Sequence, residues 1–89
     1  MLILKGRVYK ENDFWLIQLP AVDAMTQGTS RDDAFEMLKD YIETDLEKPI
    51  EYEVKDEGGH DFEIEFPKTE EIIAWVSRRT RQSAGKTLS

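Results

Sequence analysis

Two short runs in the second half of the chain limit its fold more than anything else. Ile50 to Lys55 alternates Ile50, Tyr52 and Val54 with Glu51, Glu53 and Lys55, and 61–66 alternates Phe62, Ile64 and Phe66 with Asp61, Glu63 and Glu65. Successive side chains of a strand point to opposite faces, so this spacing predicts two strands with one apolar and one acidic side. Glu57-Gly58-Gly59-His60 between them reads as a turn, which makes the pair a hairpin. Such a hairpin must bury one face and leave the other to water or to a partner.

The rest of the chain supplies the cover. Leu2 to Tyr9 and Phe14 to Leu19 read as a first hairpin around Lys10-Glu11-Asn12-Asp13, ended by Pro20. Ala24 to Gln27 reads as a short third strand at the sheet edge, with Gly28 supplying an unusual backbone angle into a helix. Ser30 is the expected N-cap, with Asp33 at the positive end of the helix dipole. Ala34, Phe35, Leu38, Tyr41, Ile42 and Leu46 form one helical stripe, and Pro49 is the expected stop. After Pro67, Thr69 opens a second helix whose apolar stripe is Ile72, Ile73 and Val76. Gln82 to Ser89 is small and polar and reads as a linker.

With 89 residues the chain holds one core. The expected fold class is α+β: strands in the order β-β-β-α-β-β, one long helix packed on one face, and a C-terminal helix. The expected division is a sheet–helix unit over 1–67 and a C-terminal helix with a basic tail over 68–89.

Composition narrows the chemistry. There is no cysteine, so disulfides and thiolate metal sites are excluded. No apolar run approaches the ~20 residues of a membrane span, and Met1-Leu2-Ile3-Leu4 lacks the basic and long apolar regions of a signal peptide. A cytoplasmic location is the resulting expectation. Charge is uneven. The 19 acids all lie at or before Glu71, and against the eight bases that precede Ser77 they leave −11; Arg78, Arg79, Arg81 and Lys86 then add +4, giving −7. An acidic body repels phosphate and attracts a basic partner, and a basic tail does the reverse.

Catalytic patterns are missing or weak. Paired acids at 51/53 and 63/65 share a strand face and could bind metal ions of the ribonuclease H kind, but exposed acids on a solvated face explain them more simply. His60 is the sole histidine and has no cysteine to join it. Ser30, Ser77 and Thr87 have no histidine partner, and Gly58-Gly59 lacks the Lys-Ser/Thr of a phosphate loop. The chain is therefore expected to be no enzyme and to need no cofactor or metal. Trp15, on an alternating apolar strand, is expected in the core; Trp75, off the stripe of Ile72 and Val76, is expected at an interface.

The N-terminal hairpin, Leu19-Pro20, the step Thr26-Gln27-Gly28-Thr29-Ser30, the helix carrying Ala34, and the exit Phe62-Glu63-Ile64-Glu65-Phe66-Pro67 together resemble the HicB-like antitoxins of bacterial toxin–antitoxin pairs over about residues 1–76. One departure is Ala21-Val22-Asp23-Ala24, where that family more often has a glycine soon after the proline. The resemblance implies a partial ribonuclease-H-like sheet–helix fold without nuclease activity. It also implies a small basic RNA-cleaving toxin of the HicA type as partner, a homo-oligomer (dimer or tetramer), and autoregulation of the operon. On this reading Glu51, Glu53, Glu63, Glu65 and Trp75 are expected to meet the toxin, and Arg78, Arg79 and Arg81 nucleic acid. Arg78-Arg79-Thr80-Arg81 and Gly85-Lys86-Thr87-Leu88-Ser89 look like the opening of a helix-turn-helix, so DNA is a partner only if a binding segment exists beyond them. The alternatives are a regulatory binding module of the same fold without a toxin, and a metal-dependent ribonuclease-H-type nuclease.

Overall fold

In the computed structural model the described residues are 1–88, with side chains through Arg81; Ser89 and the side chains of the expected 82–89 linker lie outside them. The elements run β1 (Leu2–Glu11), β2 (Phe14–Leu19), a 3-10 turn (Pro20–Val22), β3 (Ala24–Gly28), α1 (Arg31–Leu46), β4 (Glu53–Asp56), β5 (Asp61–Phe66) and α2 (Glu70–Leu88). The protein is α+β, with one antiparallel sheet in the order β3-β2-β1-β5-β4 and two helices. The last helix stays regular through Leu88, where a linker was expected from Gln82.

Alternation decides which side of the sheet is dry. Leu4 and Val8 of β1, Ile17 and Leu19 of β2, Ala24 of β3, and Phe62, Ile64 and Phe66 of β5 are buried in one core. Ala34, Leu38 and Ile42 of α1 and Ile72 and Trp75 of α2 join the same core, so both helices cover this face. The segment after 67 thus packs as part of the unit before it. Gly6 lets this layer close: a side chain there would meet the Phe62 ring at 2.3 Å. Phe62 in turn meets Phe35 of α1 edge to face, with centroids 5.0 Å apart.

Local chemistry sets the ends of the elements. Asn12 takes φ 57 in the β1–β2 turn, a conformation asparagine tolerates. Asp23 takes φ 52 after the 3-10 turn, so an aspartate fills a left-handed position that glycine would occupy at less cost. The Ser30 hydroxyl accepts the Asp33 N–H at 3.0 Å, and the Asp33 carboxylate accepts the Thr29 N–H at 2.9 Å, a reciprocal cap on α1. Thr69 caps α2 through the Ile72 N–H. Helix α1 ends before Pro49 is reached: Glu47 turns left-handed (φ 60) and donates its N–H to the Glu43 and Thr44 carbonyls.

Two further expectations need correction. Gly28 lies within β3 and has no left-handed angle. Its need is space, because a Cβ would fall 2.5 Å from the Ala34 nitrogen at the start of α1. The strand expected from Ile50 begins only at Glu53. Ile50 is held to α1, its N–H donating to the Glu43 carboxylate at 2.8 Å, and its side chain enters the core.

Candidate protein-binding surface

No described element covers the second face of the sheet, and cross-strand register shows its composition. Ile3, Glu65 and Glu53 form one row; Lys5, Glu63 and Lys55 form the next; Asp61, Arg7, Gln18 and Met25 form a third. Glu63 therefore sits between two lysines, and Lys55 binds Glu65 at 2.8 Å. The hydrogen bond to Glu65, followed by its charge, raises the Lys55 pKa. Glu53, Glu63 and Glu65 do share this face, as the alternation implies, but they form a lattice with Lys5, Arg7 and Lys55 rather than an acidic field. Glu51 precedes β4, is exposed, and stands outside the paired sheet.

The acidic field lies elsewhere. Between Arg31 and Glu47 the chain carries Asp32, Asp33, Glu36, Asp40, Glu43, Asp45 and Glu47 against only Arg31 and Lys39. Burying the Ala34–Leu38–Ile42 side turns Asp32, Glu36, Asp40 and Glu47 to solvent. Beside this wall runs a groove of about 580 Å³, floored by Thr26 and Gln27 of β3 and bounded by Met37, Asp40, Tyr41 and Glu47 of the helix region. Thr26 bridges floor and wall by donating to the Ala34 carbonyl at 3.4 Å. Sequence reasoning missed this site because it weighed the acids of the strands. The density of acid from 32 to 47 was the available signal.

The remaining expected site residues separate. Trp75 is not on a surface: it is 1% exposed, stacks edge to face on Phe66 at 6.1 Å, and donates its indole N–H to Asp45 at 2.5 Å. Arg79 is committed to the fold. Its guanidinium donates to the Val22 carbonyl at 2.9 Å and the Asp23 carbonyl at 3.2 Å, and it also meets the Tyr41 hydroxyl and ring. Arg78 is exposed and lies 3.8 Å from Asp45; Arg81 is exposed. Arg79 is thus set apart from the exposed Arg78 and Arg81. Trp15 is half-buried against the core.

A residue the sequence did not single out, Arg31, ties the start of α1 to the β4–β5 turn. It binds Asp56 at 2.5 Å and the Gly58 and Gly59 carbonyls at 2.9 Å each. His60 belongs to the same turn, its Nδ1 lying 3.1 Å from the Val8 carbonyl. Among the described residues, no three histidine or carboxylate side chains converge as a cation site requires, and no helix is long and apolar enough to cross a membrane.

The fold and this surface define a one-sided sheet–helix domain with an acidic groove at one edge. Comparison with known proteins adds no relative: no family model matches the chain, and no curated protein or solved structure matches it.

Proposed function

We propose that this protein is a binding module of the HicB-like antitoxin kind, which neutralises a small basic RNA-cleaving protein by occupying its positive surface. The observation that carries this reading is the charge of α1 with its C-cap Glu47, seven acids against two bases from 31 to 47, set beside an open groove. A protein that cleaves RNA must present cations to phosphate, and an acidic wall competes for those cations. The partial ribonuclease-H-like character belongs to this proposal. Its support is the sequence Thr26 to Ser30, which leads from β3 into α1, and the order of elements around it. Action in the cytoplasm, where such a partner meets mRNA, is part of the same reading.

The test is co-expression of this chain with whichever small basic protein an adjacent reading frame encodes. mRNA cleavage should stop, and it should resume when Asp40 and Glu47 are both changed to lysine. Cleavage that continues unabated with the unaltered chain present would refute the proposal.

A further inference from the structure

The groove has a property that acidity alone does not give it: its floor is the end of a sheet. Strand β3 is terminal in the order, so the N–H and C=O groups along its outer edge have no strand partner among the described residues. Exposed strand edges are ordinarily blunted by charge or proline. The opposite edge follows that rule, since β4 reads Glu53-Val54-Lys55-Asp56 and all four residues are exposed. Strand β3 reads Ala24-Met25-Thr26-Gln27-Gly28, with no charge and no proline. Met25 is 55% exposed and Met37, on the facing helix, 44%.

An unpaired edge with a helix wall beside it has the geometry that accepts an extended peptide as one more strand. We infer that β3 takes up an extended basic segment of its partner as a sixth strand, lying in the groove between β3 and α1. This deepens the function proposed above and rests on it for the identity of the partner. Side chains of the added strand alternate. Those on the helix side lie against Met37 and Tyr41 and reach Asp40 and Glu47, which calls for apolar and long basic residues. Those on the other side lie beside Met25 and Gln27. Charge selects this occupant over a second copy of the chain. Pairing two β3 edges would bring two acidic α1 walls alongside each other, whereas a basic strand is attracted by the same wall.

The probe is a synthetic peptide of about eight residues, the length of an ordinary strand, alternating lysine and valine. Two variants are N-methylated at alternate backbone nitrogens, one at the odd and one at the even positions. Only one edge of an added strand faces β3, so one variant should bind as well as the parent and the other about tenfold or more weaker. Amide exchange should slow within 24–28, and binding should fall with added salt. Changing Asp40 and Glu47 to lysine, both at exposed positions, should abolish it. Equal binding of the two methylated variants would overturn the inference, as would protection confined to the open sheet face. A two-chain mass without peptide, with β3 amides already protected, would overturn it in favour of self-pairing. If the whole basic partner binds while β3 amides stay unprotected, strand addition fails and the acidic-wall reading stands. If the peptide adds to β3 but the whole partner does not bind, the reading of function fails instead.

Discussion

Strands β3 and β4 close the same sheet at opposite edges, yet they are held by different means. β4 is kept in place by polar contacts: Lys55 to Glu65, and Asp56 to Arg31 at the start of α1. Its one apolar residue, Val54, pairs in register with buried Ile64 yet is 38% exposed, because β4 is the terminal strand of the sheet. β3 is kept in place by close approach, with Gly28 against the backbone of Ala34 and Ala24 in the core. A strand held by charge carries its own protection against stray pairing. A strand held by packing leaves its outer edge chemically plain, available to another chain.

This contrast is sharpest at two glycines. Gly28→Ala places a methyl group against the Ala34 backbone and should destabilise the protein by about 3 kcal/mol, the upper range for overpacking. Gly59→Ala, in the β4–β5 turn where a Cβ meets nothing within 4 Å, should leave stability within about 0.5 kcal/mol of the parent. Urea denaturation of both variants decides it, and equal losses would erase the distinction between the edges.

Alkaline pH should separate the edges next. Tyr52, just before β4, packs on Phe66, and its pKa rises from 10.0 to about 12, first through burial and then through the nearby Glu43 carboxylate. The folded state thus holds the phenolic proton more tightly than the unfolded chain does. That stability is complete below pH 10 and is lost as pH climbs towards 12. The loss should be about 2 kcal/mol after allowing for partial exposure, and Tyr52→Phe should remove that part of the pH dependence. Melting curves across this window would show it, and a mutant retaining the full dependence would place its origin elsewhere.

The smallest of the expected losses concerns Arg31. Arg31→Ala should cost about 1 kcal/mol, because its ion pair is partly solvated. Amide exchange should quicken at 56–60 and stay unchanged at 24–28. Equal acceleration at both edges would mean that Arg31 supports the whole sheet.

Much of this architecture is readable from the residues. Alternation places Phe62, Ile64 and Phe66 inside, and Ser30 marks the start of α1 because its hydroxyl has an N–H to accept. What the residues hide is register. That Glu63 lies between Lys5 and Lys55 follows only once β5 is known to pair with both β1 and β4, and that pairing joins residues far apart in sequence. The second helix shows a different failure. Ile72, Trp75, Val76 and Arg79 are spaced three, four and seven residues from the first, which is one helical face, while Ile73 points outward. Reading the stripe through Ile73 displaced Trp75 to the surface. The charge of Arg79 concealed that its place is over the 3-10 turn, where carbonyl oxygens await a donor.

The two indoles make the molecule its own instrument. Trp75 is sealed beneath α2 with its N–H on a carboxylate, so its fluorescence should resist quenchers and follow global melting. Trp15 is half-open and stands opposite Gly28 in the β2–β3 register, one strand in from the unpaired edge. With Trp75 replaced by phenylalanine, the remaining emission becomes an optical gauge of that edge, readable in a cuvette without any attached dye.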